Sequence, residues 1–275
     1  MSRRWVTDSQ EASTRPSVTN HAMPSALHVC GRYHHRPVSI HRALTHPAQR
    51  SFKPRRRGLS PSRAVAYERS IARWGIDVEG PELSLREVFD IGTGDEVDVV
   101  LDIGFGGGEA LIEVAEVRLA ELVIGIDVHT PGIAAVLEAV EARGLRNVRV
   151  VEGDVIDFIG RIPTRSLAAT RIFFPDPWPK HRQRNRRLIR PDVLDMLIVV
   201  LRVGGRIHIA TDSAEYVQQI RQVCDAHSGL RGGIVDRPAW RPMTRFEQRG
   251  VEAGRASVDL VYIASESSPS DSSSA

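Results

Sequence analysis

Cysteine, lysine and long apolar stretches are all scarce in this chain. It has two cysteines, Cys30 and Cys224, which provide no disulfide framework and are typical of a protein from a reducing cytoplasm. Its longer apolar runs, such as residues 196–201, fall far short of the roughly 18 residues that a membrane span requires. The sequence therefore predicts a globular cytoplasmic protein with no membrane segment.

Positive charge is present but unevenly distributed. The formal net charge is only +3, yet the first 60 residues and the stretch 180–190 are strongly basic. Lys53 and Lys180 are the only lysines among 37 basic residues, so a lysine within an arginine-rich run indicates a site where an ammonium group is preferred. A local basic face of this kind favours a nucleic-acid partner.

Composition divides the chain into three parts. Residues 1–54 are rich in Ser, Pro, His and Arg and are predicted to be a disordered basic arm, although a transit peptide has a similar composition. Residues 55–264 are predicted to form the folded domain, and residues 265–275 a disordered Ser-rich tail. The histidines of the arm lack a pattern of metal ligands, so we predict no metal site.

Apolar strands alternate with helical patterns throughout the predicted domain. An almost continuously apolar strand within residues 96–105 leads into glycines and then a helix over 109–119, and further strands are predicted at 122–126, 148–151, 171–174, 205–210 and 257–264. This alternation predicts an α/β fold with a doubly wound, mostly parallel, seven-stranded sheet and an antiparallel C-terminal edge strand.

Cap signals define the predicted helices between these strands. Ser60 followed by Pro61 predicts a helix to Trp74, and Thr130 followed by Pro131 predicts a helix to Arg143. The glycines at 75 and 144 would end these two helices.

Acidic residues stand at or near the end of each of the five central predicted strands. Ligands bind beyond the carboxyl ends of such strands, so these acids and the first glycines of the turn form the candidate ligand site. They are Asp102, Gly104, Gly106, Asp127, Asp154, Asp176 and Asp212. A cluster of acids suits a cationic ligand with hydroxyl groups, such as a sulfonium nucleoside. A dinucleotide is disfavoured because Glu109 replaces the last glycine of its motif. Asp154 also fits an ordinary turn, and Asp212 a helix cap.

The segment 173–187, FFPDPWPKHRQRNRR, combines a carboxylate, an aromatic ring and many cations. Asp176 and Trp178 each precede a proline, which disfavours the helical region and predicts an extended segment. Trp178 or Phe174 is a candidate for stacking on a base. The cations that follow are candidates for binding phosphate: Lys180, Arg182, Arg184, Arg186 and Arg187.

Five segments carry a resemblance to a known family: LDIGFGGG, GIDVHTPGI, FFPDPWPKHRQRNRRLI, ATDSAEYV and TRFEQRG. In this order they closely resemble the bacterial tRNA (guanine-N7-)-methyltransferases, over roughly residues 55–264. The resemblance implies a Rossmann-like class I methyltransferase that uses S-adenosylmethionine to methylate N7 of a guanine in the tRNA variable loop. It also implies the following roles. Asp102, Asp127, Asp154 and Asp176 would bind the cofactor, Asp176 would also be catalytic, and Lys180, Asp212, Thr244, Arg245, Phe246 and Glu247 would bind the substrate.

Two other classes of function remain open from the residues. One is an enzyme for small molecules on the same fold, such as an aminopropyl transferase or a dehydrogenase, although the basic run argues against it. The other is a non-catalytic RNA-binding module, although retention of all the strand-end acids argues against that. The sequence does not distinguish a monomer from a homodimer.

Overall fold

The computed structural model describes residues 58–92 and 97–266. The predicted basic arm, residues 1–54, lies outside these residues, as does nearly all of the predicted tail. Both therefore stay predictions. In the described part of the chain, no helix is both long and apolar enough to cross a membrane.

Eight α-helices and seven strands make up the described part of the domain. The helices are α1 Pro61–Trp74, α2 Leu85–Phe89, α3 Glu109–Val117, α4 Thr130–Arg143, α5 Val155–Phe158, α6 Pro191–Val200, α7 Ala214–Asp225 and α8 Arg245–Glu252. The strands are β1 Asp98–Ile103, β2 Glu121–Asp127, β3 Val148–Glu152, β4 Leu167–Phe173, β5 Leu201–Thr211, β6 Leu230–Val235 and β7 Val258–Ala264. Short 3₁₀ helices occupy Ile159–Arg161 and His181–Arg186.

The helix boundaries agree with the cap signals, with one correction. α1 begins at Pro61 and is followed by Gly75, as predicted. The N-cap position of α4 is His129, whose side chain makes no capping bond, and Thr130 is the first helical residue. The Thr130 hydroxyl instead donates to Glu152 Oε1 at 2.6 Å and so ties α4 to the end of β3.

The seven strands form one sheet in the order β3-β2-β1-β4-β5-β7-β6. The five strands from β3 to β5 are parallel, and β7 runs antiparallel to β5. The predicted mostly parallel sheet and the antiparallel direction of the C-terminal strand are confirmed. The predicted edge position of the C-terminal strand is wrong. The edge strand is β6, which pairs with β7, so β7 lies one place in from the edge.

Two apolar clusters lie on opposite faces of the sheet, as expected of a doubly wound fold. One joins residues of α3 and α4 to Val123, Val148 and Val150 of the strands. The other joins α5, α6 and α7 to the alternate residues of β1, β2 and β5, such as Leu101 and Ile124. Because successive side chains of a strand alternate between faces, one parallel sheet serves both clusters.

Candidate functional site

The turn that follows β1 is built from glycines in left-handed conformations. Gly104, Gly106 and Gly108 have φ values of 75°, 61° and 80°. A Cβ on Gly104 would meet nothing within 4 Å, so the space above the turn is open. A Cβ on Gly132 would instead clash with the carbonyl oxygen of Gly106, because the first turn of α4 packs directly against the glycine turn.

The Asp127 carboxylate holds the glycine turn to the end of β2. Its Oδ2 accepts from the Gly106 N–H at 2.7 Å, and its Oδ1 accepts from the His129 N–H at 2.8 Å. Burial raises the pKa of Asp127 even though these N–H groups oppose the shift. A carboxylate has about four acceptor sites, so Asp127 retains capacity for ligand hydroxyls beside the turn.

Asp102 lies near the end of β1 and is 5 % exposed. It lies opposite Gly125 of β2 and Arg171 of β4 in the sheet register. Burial raises the pKa of its carboxyl to about 6, with Arg171 opposing the shift and Asp127 adding to it. Burial disfavours the ionised form of this carboxyl, and a cation bound beside it would favour that form.

The first turn of α8 lies against the glycine turn. The Phe246 ring comes within 3.7 Å of the position that a Cβ on Gly106 would occupy. Arg245 pairs with Glu109, at the start of α3, at 2.9 Å. The fold thus brings together two segments that are about 140 residues apart in sequence and were assigned separately to cofactor and substrate.

Thr244 and Glu247, also in the predicted substrate-binding segment, have local structural contacts. The Thr244 hydroxyl caps α8 by accepting from the Glu247 N–H at 3.0 Å. The Glu247 side chain is 2 % exposed, and both of its oxygens accept from Arg241 at 2.8 Å. Burial raises its pKa, but the bonds from Arg241 and Ser257 outweigh this and hold it below its usual value. Glu247 therefore stabilises α8 from inside, and the role expected for it at the substrate is not supported by its position.

Arg241 is the centre of a buried ion network beneath α8. Its side chain is 0 % exposed and bonds Asp259 of β7 as well as Glu247. Asp259 also bonds His208 Nε2 of β5 at 2.7 Å. The network therefore connects α8 to the central strands on the side of the sheet beyond β4.

Asp154 and Asp212 both have structural contacts at the strand ends. Asp154 caps α5 by accepting from the Ile156 N–H at 3.1 Å, which agrees with the alternative reading of a turn residue. Ser213, not Asp212, caps α7. Asp212 Oδ2 instead accepts from Arg255 Nε at 2.8 Å and lies beside Gly250 of α8. The Asp212 carboxylate is thus next to the α8 helix that covers the turn.

The loop that follows β4 has an unusual backbone. Phe174 and Trp178 have φ values of 52° and 39°, and they are two of the four non-glycine residues with positive φ in the described chain. The prediction that Trp178 is extended is wrong, because tertiary contacts hold it in the left-handed region. Such conformations cost about 1–3 kcal/mol each and are concentrated at functional sites. Asp176, between them, is exposed.

The basic run divides into exposed and internal residues. Lys180, Arg182 and Arg184 are exposed, as expected of phosphate-binding groups. The Arg186 guanidinium lies over the Trp178 ring, 4.7 Å from its centroid. Arg187 is 1 % exposed, so the expectation that it binds phosphate is contradicted by its burial.

Comparison with known proteins identifies the family. Residues 96–260 match a family model described as a putative methyltransferase. A tRNA (guanine-N(7)-)-methyltransferase of Streptomyces avermitilis is 40 % identical over 78 % of this chain and 74 % of its own length. The chain belongs to this family. Members from Xanthomonas campestris, 41 % identical over 78 % of this chain and 82 % of their own, and Marinobacter nauticus, 37 % identical over 82 % and 94 %, agree.

Sequence reasoning missed Arg187 and the Arg241 network. The only available signal for the network was the spacing of Thr244 and Glu247, which is that of a helix capping box and suggests a structural role for both. No local pattern separates a buried arginine from its exposed neighbours in a run.

Proposed function

We propose that this protein transfers the methyl group of S-adenosylmethionine to N7 of a guanine in the variable loop of tRNA. The observation that carries the proposal is the packing of α8 on the glycine turn, with Phe246 against Gly106. This contact supports one site in which the segment proposed to bind the cofactor adjoins the segment proposed to bind the substrate. The names of the relatives supply the substrate class, and the exposed basic run supports an RNA partner.

The residues at the strand ends fit S-adenosylmethionine. The open space above Gly104 admits a ligand close to the backbone, and the two carboxyls beside it suit hydroxyl groups and positive charge. Asp127 would accept from the ribose, and Asp102 would offset the positive charge. When bound, the cofactor supplies a methyl group activated by a sulfonium. Asp154 is proposed to contribute to the cofactor site in addition to capping α5.

On the substrate side, Asp176 is the proposed catalytic group. Guanine N7 carries a lone pair and no proton at neutral pH, so the reaction needs no general base before methyl transfer. Asp176 would accept from the N1–H and N2–H edge of the guanine, which orients N7 and offsets the positive charge that develops on the ring. Phe246, exposed at the turn, and Trp178 offer rings for stacking the extruded base.

Phosphate groups of the tRNA would be bound by Lys180, Arg182 and Arg184. Arg245, the first residue of α8, and Asp212 beside that helix complete the proposed substrate surface. Since tRNA is the partner, we infer a cytoplasmic protein, in agreement with the scarcity of cysteine. The protein would act as a monomer or homodimer.

The test is incubation with methyl-labelled S-adenosylmethionine and tRNA, followed by nucleoside analysis. We expect the label in 7-methylguanosine, mapped to the variable loop. The matched control is the same tRNA with adenine in place of that guanine, which should take up no label. Label in another nucleoside, or equal label in the control tRNA, would overturn the proposal.

A further inference from the structure

We infer that Arg187 is a positioning residue that closes the loop bearing Asp176, and that it does not contact RNA. The inference rests on the proposed function for its kinetic consequences. Its structural part concerns the ligand-free protein and can be tested without activity.

The contacts of Arg187 are with the backbone of its own loop and with α7. Its Nε donates to the carbonyl oxygen of Pro177 at 2.7 Å, and its Nη2 donates to Glu215 Oε1 at 2.8 Å. Its Nη1 donates to Gln219 Oε1, and the guanidinium lies over the Tyr216 ring at 4.9 Å. The guanidinium thus joins the backbone of the loop to three residues of α7.

These contacts close a ring in the chain. The bond from Arg187 to Pro177 spans ten residues, and the intervening segment contains the 3₁₀ helix His181–Arg186. The chain beyond Arg187 is also fixed, because the Ile189 N–H donates to Tyr216 and its carbonyl accepts from Gln219. The loop is therefore anchored at both ends, with Lys180 and Arg182 displayed on its outside.

The geometry explains how a strained backbone persists. Trp178 is in the left-handed region and is followed by Pro179, an arrangement that the chain avoids unless its surroundings impose it. Arg187 bonds the carbonyl immediately before Trp178, and Arg186 covers the Trp178 ring. Asp176 lies one residue before this anchored carbonyl, so release of Arg187 loosens the backbone that carries the carboxylate.

A lysine cannot replace this arginine. Three separate acceptors, on Pro177, Glu215 and Gln219, lie around one planar guanidinium. An ammonium is a compact point charge and cannot span acceptors on both the loop and α7 in this way. A phosphate contact, in contrast, is retained by lysine. The pair Arg187→Lys and Arg187→Met therefore separates the two roles.

The experiment compares these two variants with Arg184→Met, which removes an exposed arginine that also pairs with Glu215. Hydrogen exchange of the ligand-free proteins should speed up in residues 177–187 for both Arg187 variants and not for Arg184→Met. The kcat at saturating tRNA should fall on the order of 100-fold in both Arg187 variants, as expected of a misplaced catalytic group. The dependence of log affinity on log salt should keep its slope in the Arg187 variants and lose about 0.7–0.9 in Arg184→Met.

A variant at another position tests the inference if Arg187→Met fails to fold. Gln219→Leu removes one anchor on α7 while Arg187 stays in place, and it should give the same faster exchange and a smaller fall in kcat. Wild-type exchange in residues 177–187 for Gln219→Leu and Arg187→Lys would overturn the inference. A shallower salt slope with normal kcat in Arg187→Met would do the same and would restore Arg187 as a phosphate contact. Neither result bears on the proposed function, which is tested separately by nucleoside analysis of tRNA methylated by the wild-type protein.

Discussion

Apolar side chains pack on both halves of the sheet, but the half with β4, β5 and β7 also contains a buried ion network. On the side of β1, β2 and β3, apolar residues of α3 and α4 pack on the strands, and the glycine turn is held by the Asp127 carboxylate and by close packing against α4. On the side of β4, β5 and β7, an internal network of Arg241, Glu247, Asp259 and His208 supports α8. We call these, after their proposed roles, the cofactor half and the substrate half.

This difference indicates which half of the sheet fixes the orientation of the groups in the proposed reaction. Apolar packing is not directional and tolerates small shifts, whereas buried ion pairs fix orientation and become costly when one partner is lost. The cofactor half therefore provides a preformed surface on which the proposed cofactor would bind. The substrate half sets the orientation of α8 and of the loop that carries Asp176.

The largest expected effect is on stability, in the substrate half. Arg241→Met removes the buried cation shared by Glu247 and Asp259 and should lower the free energy of unfolding by about 3–5 kcal/mol. The matched control is Arg237→Met at the rim of the same network, 3.6 Å from Glu247 and 35 % exposed, which should cost about 1 kcal/mol or less. Denaturant unfolding of both variants measures the difference. Equal losses of unfolding free energy would show that Arg241 contributes no more to stability than Arg237 does.

The largest expected effect on activity comes from Asp176. Asp176→Asn keeps the shape of the side chain and removes the charge proposed to offset the methylated guanine, so kcat should fall by about 100–1000-fold. Affinity for tRNA should change little, because the phosphate contacts remain. Asp157→Asn, an exposed acid in α5, is the control and should behave as wild type. Near-normal turnover of Asp176→Asn would remove this carboxylate from the mechanism.

In the cofactor half, the expected effect depends on pH. The folded pKa of Asp102, about 6, lies above its ordinary value of 3.8. The folded state therefore holds this proton more tightly, and the contribution of Asp102 to stability is lost as pH rises from about 4 to 6. By neutral pH, the ionisation of Asp102 has lowered the free energy of unfolding by roughly 2–3 kcal/mol.

Asp102→Asn should accordingly be more stable than wild type above pH 6 and should lack this part of the pH dependence. Its affinity for S-adenosylmethionine should be weaker and independent of pH through that range, because the anion is missing. Thermal unfolding and calorimetric titration at pH 5 and 7.5 test both statements. A variant that is less stable than wild type at pH 7.5 would contradict the assigned cost of burial.

The smallest expected effect is on the RNA-facing surface. Arg182→Met removes one exposed cation and should reduce the salt slope of tRNA affinity by about 0.7–0.9, with no loss of stability. An unchanged slope would indicate that Arg182 does not contact phosphate.

The sequence predicted the sheet well because its central strands are buried on both faces and are almost continuously apolar. It did not locate β6, since Gly232 and Gly233 interrupt the strand pattern and most of the strand is exposed. The acids at the strand ends were found because strand, turn and helix follow one another closely. The internal roles of Arg187 and Arg241 were missed, because burial of an arginine depends on acceptors that lie far away in sequence. The left-handed Trp178 was missed for the same reason.

The scarcity of lysine makes Lys180 a ready attachment point for a spectroscopic reporter. It is the one lysine among the described residues, and it is exposed at the start of the 3₁₀ helix beside Trp178. Reductive methylation with a ¹³C reagent would mark only Lys180, Lys53 and the terminal amine. The arrival of tRNA at the loop would then be visible as a shift of a single assigned NMR signal.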